Sequence, residues 1–407
     1  MPDIVQNPEV LALLAELTRM PGRADPYPRY ARLREISPVV RAEDGALVVT
    51  GYGDCATVVR DPRLQHLPAD MLAFVGFPDW REHPALHQLF TSMLTLNPPD
   101  HTRLRRLVSS AFTPRRVEAL RPAIERMVQD LLDAMEGAGE ADFVEAFAFP
   151  LPVNVIGELL GVPEPERAGF QTLVRDWTQV LEVITPDVLT RADPAAAAIR
   201  DHLAGLVEQR RRRPADDLLS ALVQAQAADD RLTDEEVLSN AALLFAAGFE
   251  TTTNLLANGV AALLGHPEQY ALLGRDPALA QPAVEELLRF DSPVQLSSRV
   301  VTAPLELGGV TVQEGERVVA YLGAGNHDPA RFADPGVLRL DRADNAPLSF
   351  GGGIHYCLGA PLARLEAQIA LPALARRFPS LALTGDAQRR DSLSLKGYTS
   401  LRVRTGR

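Results

Sequence analysis

The sequence predicts a mainly α-helical protein with small β-sheets, on three observations. A helical pattern of about 30 residues runs from a capping sequence at 233–236 to Gly265-His266-Pro267. Shorter helical patterns recur on both sides of it. The strand signals are short and few, and none reaches the length of a large sheet.

Taken in order, Val39-Val40-Arg41-Ala42, Glu43-Asp44-Gly45 and the apolar run to Thr50 read as a β-hairpin. A short helix is expected over 54–59 and carries Cys55. Residues 64–94 read as a long irregular apolar loop, broken by Pro68, Pro78 and Pro84; loops of that length usually serve a function. Thr113-Pro114 supplies N-cap and N1 of a helix expected to run to Gly137. Further helices are predicted over 164–182, 194–213 and 216–227. Thr233-Asp234-Glu235-Glu236 is a capping box. The helix it opens would be about 45 Å long at 1.5 Å per residue, enough to cross a whole domain. Residues 282–290 are helical in pattern, strands follow at 300–301, 305–312 and 317–321, and 392–403 is again strand-like.

The chain has 407 residues and a net charge of −12, which argues against nucleic acid as a partner. Lys396 is its only lysine. No Ser/Gly tract, charge block or repeat marks a linker, so a single domain over 1–407 is expected. The N-terminus lacks a basic, apolar signal pattern, and no apolar run reaches the ~18 residues of a membrane span. Two cysteines, Cys55 and Cys357, are too few for a disulfide framework and point to a reducing cytoplasm.

Cys357 lies in Phe350-Gly351-Gly352-Gly353-Ile354-His355-Tyr356-Cys357-Leu358-Gly359, just before a helical pattern over 360–377. The positive end of a helix stabilises a thiolate, and three glycines let backbone N–H groups approach the sulfur. A thiolate so presented is a soft, strongly donating metal ligand. One other cysteine cannot complete a thiolate zinc or Fe–S cage, which leaves haem iron. Phe350, Gly353, Cys357 and Gly359 match F-x-x-G-x-x-x-C-x-G, and here the chain resembles the cytochrome P450 monooxygenases. The resemblance extends along essentially the whole chain. It implies that fold, haem b as cofactor, and Cys357 as the axial ligand whose electron donation favours O–O cleavage.

Further segments carry the same resemblance. Ala246-Ala247-Gly248-Phe249-Glu250-Thr251-Thr252, in the middle of the long helix, resembles A-G-x-[DE]-T. Glycine and threonine weaken a helix there. Gly248 would let a flat cofactor approach, and a threonine hydroxyl bonded one turn back could open the helix to water. By themselves these residues also suit a helix packed through small side chains. The resemblance places Ala247 and Gly248 over the haem and assigns Glu250 and Thr251 to proton delivery, with Thr252 and Thr253 crowding the same point. In Pro98-Pro99-Asp100-His101-Thr102-Arg103-Leu104-Arg105, with Asp100 a candidate cap, His101 and Arg105 share a helix face. The resemblance assigns both to haem propionates, with Arg299 and His355; His355 could equally satisfy a loop carbonyl.

Glu286-Leu287-Leu288-Arg289 matches E-x-x-R, a structural pair in the family. Its usual third partner, an arginine in P-x-R-F, is replaced by Val337, leaving Arg339 and Arg342 as candidate substitutes. The resemblance places substrate contacts at 64–94, 170–190, 294–296 and near 398–399, rich in Met, Leu, Phe and Val. They suit a bulky apolar substrate, and polyketide or other secondary-metabolite tailoring is the analogy. With no flavin or nicotinamide domain, electrons must come from a separate ferredoxin and ferredoxin reductase. Docking is expected on Arg103, Arg106, Arg115, Arg116 and Arg364 of a monomer, with O2 as co-substrate. Two other readings use the same residues: another oxidation on this scaffold, such as phenol coupling or peroxide-driven chemistry, and a non-catalytic haem-binding partner protein.

Overall fold

The capping box forms as its residues dictate. Glu236 N donates to Thr233 Oγ1 at 3.1 Å and Thr233 N donates to Glu236 Oε2 at 2.8 Å, so two otherwise orphaned donors are satisfied reciprocally. The helix they open runs unbroken over Asp234–Leu264, 31 residues. This is a computed structural model, which describes residues 7–167, 169–226 and 232–406. The predicted helix over 216–227 is Leu218–Gln226, and position 227 lies outside the described residues.

The chain divides into two compact units, one drawn from Met1–Gln65, Glu125–Phe149 and Thr251–Arg407, the other from His66–Ile124 and Pro150–Glu250. The first unit carries the sheets. Val39–Arg41 and Leu47–Val49 pair antiparallel, as the hairpin signal predicts. Leu47–Val49 then runs parallel to Arg317–Tyr321, which pairs antiparallel with Leu296–Val301, and Leu64–Gln65 closes the far edge. Beneath this sheet, alternate side chains such as Leu47, Val49, Val318 and Ala320 are buried with Val58 and Leu348. Cys55 sits in that core, its thiol donating to the carbonyls of Val49 and Tyr321. Burial pushes its pKa far up, and it stays an inert thiol. A smaller sheet joins Arg402–Arg404 to Glu140–Asp142 and Ala382–Leu383, so the predicted strand over 392–403 begins only near Tyr398.

The second unit is helical. Phe170–Thr178 packs on Pro186–Arg212, and Phe170, Phe245 and Phe249 form an aromatic row with ring centroids 4.6 and 5.8 Å apart. Four elements depart from their predicted bounds. The helix expected over 164–182 forms as Glu164–Arg167, Phe170–Thr178 and a 3₁₀ turn over Gln179–Leu181, with position 168 outside the described residues. The helix expected from Pro114 divides into Pro114–Ala119 and Arg121–Ala138, because Pro122 lacks the N–H that would continue the ladder. The helix expected from 194 starts eight residues earlier, where Thr185 Oγ1 accepts from Val188 N and Pro186 takes N1; Pro194 is absorbed inside it. The long loop at 64–94 contains 3₁₀ turns and a helix over Pro84–Phe90, tied by Trp177 Nε1 donating to Ala85 O. No helix among the described residues is long and apolar enough to cross a membrane.

Glu286 and Arg289 are fully buried and bidentate, at 2.8 Å for both bonds. Arg342 takes the place left by Val337: its Nε lies 3.1 and 3.0 Å from the two Glu286 oxygens, whereas Arg339 contributes its backbone N–H. Arg342→Leu leaves a buried carboxylate short of charge and is expected to cost about 3–5 kcal/mol in urea unfolding. Arg339→Leu, which removes only a side-chain bond to Ala333 O, should cost about 1 kcal/mol or less. Equal losses would refute this division of roles.

Candidate active site

The Cys357 loop is shaped by turns that only glycine makes easily. Gly351 and Gly353 have φ of +68° and +61°. A Cβ on Gly353 would stand 2.8 Å from Val59 O, and one on Gly352 would stand 2.8 Å from Arg60 Cγ. The glycines therefore seat the loop against residues 59–60, a contact with no signal in the decapeptide. Cys357 N donates to Phe350 O at 3.0 Å and Tyr356 N to Gly353 O at 3.2 Å, so these two N–H groups serve the turn rather than the sulfur. Gly359 is the N-cap of Ala360–Arg377, the helix predicted over those residues, and Cys357 is half-buried just ahead of it. The Arg364 guanidinium lies 4.5 Å over the Phe350 ring and pairs with Glu285. His355 is half-buried in a 3₁₀ turn.

Arg299, on the strand Leu296–Val301, is 5% exposed. Its Nη1 donates to Ser297 Oγ and Ser298 O at 2.8 and 2.7 Å, and no carboxylate among the described residues pairs with it. Burial pushes its pKa down to about 10. A buried guanidinium without a counter-charge is costly, and an anionic group of a ligand would relieve that cost. The residues therefore fit a haem, whose propionates are carboxylates.

In the second unit, Asn97 anchors the start of Asp100–Ala111: it exchanges two 2.9 Å bonds with the His66 backbone, and its carbonyl accepts His101 N at 3.0 Å. Asp100 is the first helical residue, not the side-chain cap. His101 is buried and Arg105, one turn on, half-buried. Burial, then the charge of Arg105, holds the His101 imidazole below its ordinary pKa. It is neutral at pH 7 and can donate one hydrogen bond.

Along the long helix every residue from 237 to 260 is buried except Ala247, Gly248 and Thr251. Positions i, i+1 and i+4 form one strip. Beside it Glu250 is buried, as are Thr252 and Thr253, so of the three threonines Thr251 alone is accessible. The helix stays α-helical through this point, without the local opening expected of the threonines. The Cβ that Gly248 lacks would meet Ile156 at 2.9 Å. Close packing on a neighbouring helix is thus one reason for glycine here.

Among the five arginines expected to share a docking surface, Arg103 pairs with Glu236, Arg116 with Asp216 and Arg364 with Glu285. Arg106 and Arg115 are exposed. The expected patch is thinner than the sequence implies, because carboxylates distant in sequence fold onto it.

The chain matches the Cytochrome P450 family over residues 73–274 and 278–399. It is 44% identical over 373 residues to "Cytochrome P450 monooxygenase PikC" of Streptomyces venezuelae, covering 88% of this chain and 85% of that protein. It belongs to the cytochrome P450 family. The "6-deoxyerythronolide B hydroxylase" of Saccharopolyspora erythraea is 42% identical, over 93% of this chain and 96% of its own. Among solved structures, CYP164A2 of Mycobacterium smegmatis with econazole bound superposes with a TM-score of 0.89 at 39% identity, covering 97% of this chain and 100% of that one. P450BioI in complex with a fatty-acyl carrier protein gives 0.88 at 37%, covering 94% and 99%. This P450 is accordingly an oxygen-incorporating oxidoreductase with haem b and a cysteine thiolate, using small-molecule substrates, O2 and redox partners.

Nothing in the motifs pointed to Glu366, in the second turn of the helix after Cys357. It is 1% exposed and its Oε2 has no hydrogen-bond partner. Burial holds its carboxyl well above the ordinary range, which favours the protonated form. An unfolded chain releases that proton above about pH 4.3 while the fold retains it, so stability falls as pH rises from there. Glu366→Gln should lack this fall. In urea unfolding at pH 5 and pH 8 its advantage over the wild type should widen, by at most about 1.4 kcal/mol per pH unit. A constant difference would show an ionised, compensated Glu366.

Proposed function

We propose that Cys357 would ligate the haem iron and that His101, Arg105, Arg299 and His355 would hold the propionates. Phe350, Gly353 and Gly359 would shape the loop that presents the thiolate, and Ala247 and Gly248 would line the haem. When bound, the haem supplies the iron on which dioxygen is reduced and one oxygen atom passes to the substrate. The chain's own residues do the rest. The helix that starts behind Cys357 favours its thiolate. Neutral His101 donates a hydrogen bond, and Arg105 and Arg299 supply charge. Thr251, on the accessible strip, offers its hydroxyl as the last donor of a proton relay that Glu250 feeds from the buried side.

The observation that carries this reading is the strip itself: three accessible residues in 24 of an otherwise buried helix, with a carboxylate beside them. It favours dioxygen activation over peroxide-driven chemistry, which needs no acid–alcohol pair. The substrate we infer is a bulky, mainly apolar molecule, hydroxylated or epoxidised in secondary metabolism. Relatives named for a polyketide pathway and for 6-deoxyerythronolide B support a macrolide or other polyketide. Electrons come from a ferredoxin and its reductase, in the cytoplasm, to a monomer; Arg106 and Arg115 are exposed cations among the five named for docking.

Two variants test the assignments. Cys357→Ser should abolish the thiolate-type Soret band of the reduced carbon-monoxide complex; its persistence would refute Cys357 as ligand. Thr251→Ala should keep that band and consume reductant while losing about 10²-fold or more of product formed, the usual contribution of a positioned proton donor. Undiminished coupling would remove Thr251 from the relay. A spectral-shift titration against polyketide and non-polyketide metabolites tests the substrate class.

A further inference from the structure

A cleft of about 850 Å³ opens in the first unit, a volume typical of small-ligand sites. Of the residues assigned above only Tyr398, in a segment expected to contact substrate, lines it. Its floor is Asp291, whose side chain is 9% exposed. Lys396 Nζ donates to Asp291 at 2.5 Å, Arg389 Nη1 at 3.2 Å and Tyr27 Oη at 2.7 Å. Two cations thus share one carboxylate. Lys396 is 4% exposed and, among the described residues, makes that one side-chain hydrogen bond, with its ammonium 5.2 Å over the Tyr27 ring. Burial draws the Lys396 ammonium below its ordinary pKa against the pull of Asp291, as expected where cationic charge exceeds its compensation.

The walls carry flat side chains. Tyr27 stacks on His327 with ring centroids 4.1 Å apart, and the Arg389 guanidinium covers the Tyr398 ring at 3.9 Å. Ala261 and Ala262 leave room between them. Three carboxylates stand around the cleft. Asp328 faces Arg34 at 3.9 Å and Glu35 pairs with Arg32, while Asp25 is exposed to solvent at the rim. At the floor, Lys396 and Arg389 against Asp291 leave one positive charge in surplus, while Asp25 and Glu35, which shares Arg32 with Glu9, put negative charge toward the mouth. A dianion would meet Asp291 and Asp25 with one charge too many, and a cation would meet Lys396 and Arg389.

We propose that this cleft is a second binding site for a small aromatic carboxylate, its charge on Lys396 and Arg389 and its ring against Tyr27. The site is independent of the haem assignments. It borders a strand bridge: Lys396 N donates to Pro293 O at 2.8 Å, Gln295 N to Ser394 O at 2.9 Å, and Val294 pairs with Leu395. The Lys396 amide therefore reports directly on the floor.

Because Lys396 is the only lysine, [¹⁵N]lysine labelling of the haem-loaded protein yields a single backbone amide cross-peak. Titration with benzoate should move that peak to saturation while the Soret band stays fixed. Phenylphosphonate and benzylamine should bind at least about tenfold more weakly, and Arg389→Gln should weaken benzoate by about tenfold, the loss of one charge-assisted hydrogen bond. A stationary peak in folded wild type overturns the proposal. So does a shift by benzylamine equal to that by benzoate, or a Soret change with the same midpoint, which would place the carboxylate at the haem. Unchanged affinity in a folded Arg389→Gln would overturn it as well.

Discussion

The first unit is organised around one buried carboxylate. Glu286 accepts from Arg289, from Arg342, from the Arg339 backbone and from Asn345 Nδ2 at 3.0 Å. The two guanidinium groups spend their remaining donors on main-chain carbonyls: Arg289 on Asn326, Pro335 and Val337, Arg342 on Ala333, Asp334 and Val337. An irregular stretch of chain is thereby fixed without secondary structure of its own. It hands over to the Cys357 loop through Asn326, which accepts Leu348 N and donates to Ser349 Oγ, and through Ser349, which donates to Leu288 O. Buried ion pairs return little net stability, because desolvation offsets the Coulomb gain. What this one supplies is position, and the residue it positions, one past Ser349, is Phe350.

The same economy of charge distinguishes the two ends of the strand and hairpin region. Arg299 is buried with only neutral oxygen partners, which suits a ligand that brings its own carboxylates. Lys396 and Arg389 share a single aspartate, which also leaves one positive charge in surplus. Glu366 shows the opposite solution: with no partner for one oxygen, the carboxyl keeps its proton. Burial sets the cost in each case, and the number of compensating groups decides whether a side chain ionises, pairs or waits for a ligand.

Much of this was legible beforehand. The capping box, the hairpin and the helix over 360–377 follow from nearest-neighbour chemistry, and each formed where its residues lay. The helix bounds near Pro122 and Pro194 were misread because a proline signals a start or a stop with equal force. Which it is depends on what the flanking turns pack against. The replacement of Val337 by Arg342 was open for a similar reason: two arginines three apart are equivalent in a string, and only one of their side chains reaches Glu286.

By itself, the sequence determined the family and the groups proposed for its chemistry: a cysteine before a helix, an acid–alcohol pair inside one, and a histidine and arginine one turn apart. Such signals are local, resting on residue type and spacing within a few turns. The tertiary structure alone decided which of those groups are exposed, neutral or compensated. The decapeptide around Cys357 could not disclose that Gly352 and Gly353 are needed against Val59 and Arg60. Nor could the A-G-x-E-T stretch disclose that Ile156 fills the space beside Gly248, or that Thr251 is the accessible hydroxyl. Desolvation and steric contact act between residues that are near in space and remote in sequence, and they exist only once the chain has folded.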